Sequence, residues 1–302
     1  MAQILTVGGM FSGVGAFEES FKQQGFEVKW LCEIDKKCQH VLRRHFPQSK
    51  IYSDVKLLKE HIRAIEPVDV VVFGSPCQDF SMSNVKGGGL NGSKSSLFYE
   101  AIDVIRGIKP SFAIWENVEG AFRDKGIHFK QILSEFSSTG AVDVAWSVLS
   151  PTYFNVPHNR QRIYLVADFR AERAGSIIQR VVERVGKSVL PSAEKEEARD
   201  GEADRSTPWY ISYNFAHTSK VCPCLTCDTR TFIKTDTMIR KLTSIERERL
   251  MNWKDDYTAW GVDEQGQRVD MSITTRANMT GNGVSISCAS AVAEEIARVM
   301  KG

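Results

Sequence analysis

The sequence predicts an α/β fold, a doubly wound and mostly parallel sheet joined to a small, β-rich region. Three observations carry that prediction. Short apolar runs alternate with helical patterns through the first two-thirds of the chain, chemically distinctive residues fall at the ends of those runs, and the alternation stops after Phe169. Strands covered on both faces read as unbroken apolar runs, and repeated strand–helix units favour a parallel sheet. Ligands in such sheets collect at the carboxyl ends of the strands.

The elements follow in order. Ile4–Val7 reads as a buried strand, and Phe11-Ser-Gly-Val-Gly15 turns from it into a helix carrying Phe17 and Phe21, with Gly25 as a stop signal. Val28–Cys32 is a second strand, followed by a helix from about Asp35 to Phe46. Asp69–Phe73, Phe112–Trp115 and Arg162–Ala167 are further buried strands, and Leu97–Ile108 is a helix. The strand ends gather Gly13, Glu33, Ser75-Pro76-Cys77 and Glu116-Asn117. Beyond Phe169, the charged stretch Pro191–Ser206 reads as a solvated loop, and Trp209–Met238 as short β-like runs. Thr243-Ser-Ile-Glu246 is a capping box opening a helix with Leu250, and an amphipathic helix runs from Ser287 to the end. Three segments result: 1–169, 170–239 and 240–302.

Composition narrows the function classes. The 302 residues are 42% hydrophobic and 10% aromatic, enough for a large core and too apolar for general disorder. A net charge of +2 argues against a polycationic coat but leaves room for a local basic cleft. No apolar run approaches the roughly 20 residues that span a bilayer. The start lacks the pattern of a signal peptide. Seven irregularly spaced cysteines fit thiols in a reducing cytoplasm better than a disulfide framework.

Several motifs carry chemistry. Glycines at 13 and 15, between strand and helix, let a backbone approach a ligand, and Glu33 at the next strand end can accept both hydroxyls of a ribose. The Gly-x-Gly pair falls short of a dinucleotide fingerprint and no P-loop lysine follows. That combination suits a nucleoside cofactor without pyrophosphate, a description S-adenosyl-L-methionine meets; a structural turn is the alternative. Cys77 follows a buried strand among Ser75, Gln78, Asp79 and Ser81, polar surroundings that disfavour a packed thiol. The glycine-rich stretch Ser83–Ser96 reads as a lid. Glu116 ends another strand, where a partly desolvated carboxyl group can donate a proton; taken alone, the residue reads better as a helix-capping or surface glutamate. Arg160 and Arg162, read as alternating at a strand start, point to opposite faces, one toward a substrate carbonyl or phosphate and one toward neighbouring loops; a solvated basic face is the alternative. Cys222, Cys224 and Cys227 with His217 invite a zinc site, although no second Cys-x-x-Cys supports it, and no metal is assigned. Residues 217–241 hold five basic side chains against Asp228 and Asp236, a local +3 suited to phosphates.

Together and in this order, these segments resemble the DNA (cytosine-5)-methyltransferase family. Phe11–Gly15 is similar to its cofactor loop, Glu33-Ile34-Asp35 to its ribose-binding acidic segment and Ser53-Asp54-Val55 to the aspartate facing adenine. Ser75-Pro-Cys77-Gln is similar to the catalytic Pro-Cys loop, Glu116-Asn-Val118 to the Glu-Asn-Val signature and Arg160-x-Arg162 to the paired arginines. Arg240-Lys-Leu-Thr243 with Glu246 and Arg249-Leu250 resembles the segment after the target-recognition region, and Gly281-Asn-Gly-Val284 the final motif. Three departures stand out: Gly9 lies where an acidic residue is frequent, His158 replaces a Gln, and Lys94-Ser95 replaces an Arg-Gly.

The resemblance implies a Rossmann-like class I S-adenosylmethionine-dependent methyltransferase. Its catalytic residues would be Cys77, Glu116, Arg160 and Arg162. Cofactor-binding residues would be Phe11, Ser12, Gly13, Val14, Gly15, Glu33, Ile34, Asp54, Val55, Pro76, Leu97, Asn282 and Val284. Double-stranded DNA would be met by Gln78, Ser81, Cys224, Leu225, Thr226 and Arg230, with Cys224–Thr226 near the target base. The implied reaction is methylation of a flipped-out cytosine through a Cys77–C6 bond, in a cytoplasmic bacterial or phage modification enzyme acting as a monomer without an obligate protein partner. The alternatives are a tRNA cytosine-5 methyltransferase, a silent DNA-binding homologue and a zinc-dependent binding module.

Overall fold

The computed structural model describes residues 4–76, 96–185, 209–211, 218–234 and 238–302. Seven strands, β1 (Thr6–Met10), β2 (Glu27–Cys32), β3 (Lys50–Tyr52), β4 (Val70–Phe73), β5 (Phe112–Val118), β6 (Asp143–Leu149) and β7 (Arg162–Asp168), form one sheet in the order β3-β2-β1-β4-β5-β7-β6. The first five are parallel, and β7 runs antiparallel between β5 and β6. The chain steps outward from β1 to β3 and then returns to the other side of β1 at β4. That reversal opens a crevice at the carboxyl ends of β1 and β4.

The helices are α1 (Ala16–Gln23), α2 (Lys36–His45), α3 (Val55–Glu60), α4 (Ser96–Ile108), α5 (Ile127–Ser138) and α6 (Ala174–Val185). Three more follow: α7 (Ser244–Leu250), α8 (Ile273–Asn282) and α9 (Ile286–Lys301). Side chains alternate along a strand, so Val70 and Val72 of β4 join one core while Val71 and Phe73 join the other. The first core contains Phe17 and Phe21 of α1, Ile177 and Val181 of α6, and Val292 and Ile296 of α9. The second contains Leu58 of α3, Phe98 and Ile102 of α4, and Ile132 and Phe136 of α5. Burying each such side chain stabilises the fold by about 2 kcal/mol.

The predicted elements are present with shifts of a residue or a few at their ends. Asp35 caps α2, accepting the Lys37 and Cys38 backbone N–H groups at 2.7 and 3.1 Å. Thr243 and Glu246 make the reciprocal capping box of α7. One difference concerns the segment starting at residue 170: α6 packs on the main sheet, so the helical layer extends past Phe169. The charged stretch Pro191–Ser206 lies outside the described residues.

A four-stranded antiparallel sheet of β8 (Trp209–Ile211), β9 (Thr218–Ser219), β10 (Phe232–Lys234) and β11 (Ile239–Lys241) accounts for the β-like runs. Its order is β11-β10-β8-β9. A third core joins this region to the turn between β1 and α1, with Val14, Ala16 and Val41 packed with Cys222, Leu225, Ile233, Leu250, Trp253 and Tyr257. The hairpin β12 (Trp260–Val262) and β13 (Arg268–Asp270), which the sequence did not suggest, packs on α2. Gly261 permits that approach, since a Cβ there would sit 2.3 Å from the His40 carbonyl carbon.

His158 bolts these units together. It is fully buried, its Nδ1 lies 2.9 Å from the Leu250 carbonyl, and its Nε2 accepts the Leu225 N–H at 3.1 Å. This pattern needs the neutral ring, protonated on Nδ1. Burial, followed by the charge of Arg160, depresses its pKa to about 3, and burial depresses His45 to about 4. Both rings take up protons in the unfolded chain near pH 6.5 but resist them when folded, so their contribution is present above that pH and lost as pH falls toward 3–4. Glu18, raised to about 7 by burial, acts in the opposite sense. The histidine effect is therefore a difference between proteins. Urea unfolding of wild type and His158→Gln should give a stability gap that narrows from pH 7 to pH 4.5; a gap independent of pH would contradict the assignment.

Candidate active site

The crevice is built from strand ends. After β1 the backbone enters the left-handed region at Phe11 (φ 55°), Gly13 (φ 54°) and Gly15 (φ 82°). Such a φ is costly for a residue with a Cβ, and its occurrence at Phe11 marks a loop held by its surroundings. Gly15 is required twice over, because a Cβ there would also lie 2.3 Å from the Phe46 ring. Gly13 faces open space, and its N–H donates to Glu33 Oε2 at 2.7 Å, while Asp35 N–H donates to Glu33 Oε1 at 2.9 Å. Burial raises the Glu33 pKa. Each carboxylate oxygen has a second lone pair, so both remain able to accept a hydroxyl.

Two adjoining cavities share Phe11, Glu33 and Pro76. The larger, about 580 Å³, is lined also by Gly13, Val14, Gly74, Ser75 and Asn282. The smaller, about 160 Å³, is a slot walled by Ile34, Asp54, Val55 and Leu97. Most of the cofactor residues implied by resemblance thus meet here. Ser12, Gly15 and Val284 line neither cavity. Ser12 is buried with its N–H on the Cys32 carbonyl, Gly15 starts α1, and Val284 packs into the cores while its carbonyl accepts from Trp253.

The other half of the crevice is set by β5. Trp115 Nε1 donates to Ser75 Oγ at 3.0 Å, and Asn117 Nδ2 donates to the Ser75 carbonyl at 3.0 Å. These buried bonds pin the turn after β4 against the end of β5. Gly74 belongs to the same joint, since its Cβ would lie 3.2 Å from Glu116 Oε2. The description stops at Pro76, one residue before Cys77. Cys77, Gln78, Ser81 and the lid stretch up to Ser95 lie outside the described residues, as does His217. Glu116 is buried, 3.5 Å from Arg162 Nε. Burial raises its pKa more than Arg162 and Arg160 lower it.

The arginine pair departs from the expectation of opposite faces. Arg160 precedes β7 in irregular backbone, where strand alternation does not apply, and both guanidinium groups reach Cys224 Sγ at 3.6 Å. Arg160 is buried and also donates to the carbonyls of Leu225, Gly281 and Gly283, at 3.4, 3.1 and 2.8 Å. It clamps the 222–227 loop to the end of α8, whereas Arg162 faces Glu116. Gly281 allows the clamp to close, because a Cβ there would sit 2.5 Å from the Thr226 carbonyl carbon and the Cys227 nitrogen.

Cys224 and Thr226 are exposed near these arginines, but Leu225 is core, 1% exposed, and faces away from solvent. Arg230 is exposed and paired with Asp228 at 2.6 Å. Within the cysteine cluster, Cys222 Sγ donates to the Pro223 carbonyl, Cys224 faces two cations and Cys227 donates to Asn282 Oδ1, while the fourth candidate zinc ligand, His217, lies outside the described residues. Among the described residues no three His, Cys, Asp or Glu side chains gather as metal ligands.

Sequence reasoning missed Thr275, Asn278 and Met279, which line the large cavity from α8. Asn278 and Asn282 are four residues apart and share a helix face, yet no chemical signal marks them. It also missed Arg247, 2% exposed, which ties α7 to Thr280, Ala277 and Thr226.

Comparison with known proteins agrees with this construction. The family model of the C-5 cytosine-specific DNA methylase matches residues 5–218. Type II methyltransferase M.Bsp6I of Bacillus sp. (strain RFL6) is 26% identical over 326 aligned residues, covering 98% of this chain and 100% of that protein. Orphan methyltransferase M.Rho11sI of Bacillus phage rho11s is 32% identical over 168 residues, 54% of this chain but only 32% of the phage protein. The crystal structure of the S. pombe Dnmt2 methyltransferase superposes with a TM-score of 0.68 at 17% identity, covering 98% of each chain, and so shares the fold. The chain belongs to the C-5 cytosine-specific DNA methylase family and is a DNA (cytosine-5)-methyltransferase.

Proposed function

We propose that this protein methylates C5 of a flipped-out cytosine at a specific DNA site through a transient Cys77–C6 bond, with S-adenosyl-L-methionine as methyl donor. The observation that carries the reading is the joint between Ser75 and β5. It holds Ser75, two residues before Cys77 in sequence, against the end of the strand that carries the buried Glu116, and Ser75 and Pro76 line a cavity suited to a nucleoside.

The donor set fits the cofactor. Glu33 has acceptor capacity for the ribose hydroxyls, and the apolar slot of Phe11, Ile34, Val55 and Leu97 with Asp54 suits an adenine ring. The wider cavity beyond Gly13 and Asn282 accommodates the amino-acid end. When bound there, the cofactor supplies an electrophilic sulfonium methyl. The chain's own residues do the rest. Cytosine C5 is a weak nucleophile, so the Cys77 thiolate adds to C6 while Glu116, carrying its proton, donates to N3. Arg162 is suited to hold the cytosine O2, with Arg160 fixing the loop behind it. Departure of the C5 proton after methylation restores the ring and expels the Cys77 thiolate.

The target carbon is sheltered in a stacked duplex, so the base must leave the stack at a cost of a few kcal/mol. Contacts from the 217–241 region would offset that cost. DNA is favoured over tRNA because the family model that matches residues 5–218 is that of the C-5 cytosine-specific DNA methylase.

Three results are expected. Sequencing the DNA of a host lacking other cytosine methylation should reveal 5-methylcytosine at one short sequence after expression of this chain; methylated tRNA with unmodified DNA would overturn the choice of polymer. Glu33→Gln should weaken binding of S-adenosylhomocysteine by about 10-fold, consistent with losing a charged hydrogen-bond acceptor, measured by calorimetry. Unchanged affinity would remove Glu33 from the ribose role. Glu116→Gln should slow single-turnover methyl transfer by about 10²–10⁴-fold, the range for loss of general acid catalysis, with DNA affinity retained. A rate within twofold of wild type would exclude Glu116 as the acid.

A further inference from the structure

Behind the loop that follows β1 lies a carboxyl group that the site described so far does not use, that of Glu18 on the first turn of α1. The residue is 1% exposed, and neither of its carboxyl oxygens makes a hydrogen bond of good geometry. Ser12 Oγ, buried in the loop, makes none either, although its hydroxyl is close enough to favour the Glu18 anion. A Cβ on Gly9 would overlap Glu18 Oε1 and lie 2.6 Å from its Cδ. The carboxyl group therefore fills the space that a side chain on residue 9 of β1 would take. Gly9 stands where the family often has an acidic residue, and here a carboxyl group reaches that space from the helix instead. We propose that Glu18 is a specificity-determining residue whose negative charge, behind the cofactor loop, favours the sulfonium of S-adenosylmethionine over the uncharged thioether of the product S-adenosylhomocysteine.

This inference rests on the assignment of S-adenosylmethionine to the crevice. Glu18 lines neither cavity, but its surroundings do. Ser12 sits between Phe11 and Gly13, both on the wall of the larger cavity, and Glu33, whose charge Glu18 feels, lines both. A charge one layer behind the wall acts on a ligand across protein of low dielectric, without touching it. Substrate and product differ by one methyl group and one positive charge, so a nearby anion separates them whichever way the amino-acid end is turned. A buried carboxyl group without partners is destabilising, and a cationic ligand offsets that.

The described groups around Glu18 offer it no cation of their own. Glu19, its neighbour on α1, is the carboxylate that Lys22 and Gln23 engage, at 3.9 and 3.3 Å. Tyr257 feels both acids, stays protonated through burial and donates to the Val14 carbonyl at 3.2 Å. His45, stacked on Tyr257, is neutral. On α9, which packs against α1, Glu295 holds Arg298 at 2.7 Å and Cys288 remains a thiol. Glu33 is the other acid within reach and adds to the negative potential. Burial places the Glu18 pKa at about 7, so its charge is mostly absent at pH 6 and mostly present at pH 8.

Calorimetric titration with S-adenosylmethionine and with S-adenosylhomocysteine reads the preference as the ratio of two dissociation constants. In wild type the preference for S-adenosylmethionine should rise about fivefold from pH 6 to pH 8, on the order of one nearby charge. Glu18→Gln keeps the volume and should lower the preference at pH 8 by a similar factor, with most of the pH dependence gone. The double variant Gly9→Asp with Glu18→Ala returns a carboxyl group to the same space from β1 and should restore the preference. A role in packing alone would weaken both ligands alike and leave the ratio unchanged. A wild-type ratio in Glu18→Gln at pH 8, or a double variant that keeps the Gln ratio, overturns the proposal. So does a wild-type ratio that is flat with pH, a measurement that needs no variant. Failure of the parent reading is seen separately, as wild-type protein that binds neither ligand.

Discussion

The site depends on two side chains of β5 reaching across to the turn after β4. Trp115 and Asn117 both bond Ser75 in a buried setting, where leaving a polar group unpaired costs about 1–3 kcal/mol. The pair of strands is therefore joined not only by its ladder but by a side-chain lock at the carboxyl end. Glu116 lies between the two locking residues, so its place relative to the start of the Cys77 loop follows from the same bonds. Gly74 completes the joint by leaving room for the Glu116 carboxyl group.

Around this joint the electrostatics are arranged by burial. Glu33 and Glu116 are both pushed upward by desolvation, but they differ in company. Glu33 answers backbone N–H groups and keeps acceptor capacity toward the cavity. Glu116 faces a guanidinium group, which draws its proton away as burial holds it. The balance at Glu116 is thus sensitive to anything else that engages Arg162. Arg160 has become part of the scaffold, spending its donors on three carbonyls that tie the 222–227 loop to the last turn of α8.

Much of this was legible in the sequence because the signals are local. Unbroken apolar runs gave away the parallel strands, Asp35 and Thr243 announced helix starts, and Gly13 with Glu33 marked the crevice at the strand ends. What stayed hidden depends on distant partners. α8 is only weakly amphipathic and is held by Arg247 from α7, so no pattern in residues 273–282 announces it. The β12–β13 hairpin is anchored on α2 by the bare backbone of Gly261. Leu225, read from its motif as a partner of nucleic acid, is packed in the core, and Arg160, read as the supporting member of the arginine pair, is buried on backbone carbonyls, a division that the motifs alone do not reveal. The antiparallel placement of β7 is a topological fact with no local sequence signature.

The central claim is that Cys77 forms a covalent bond with the target pyrimidine. Full-length protein incubated with S-adenosylmethionine and a duplex in which every cytosine carries fluorine at C5 gives the most direct test, since fluorine cannot depart as a proton does. A protein–DNA adduct that survives denaturation and maps by peptide mass to Cys77 is expected. An absence of adduct despite active methylation of ordinary DNA, or an adduct mapping to Cys224, would contradict it.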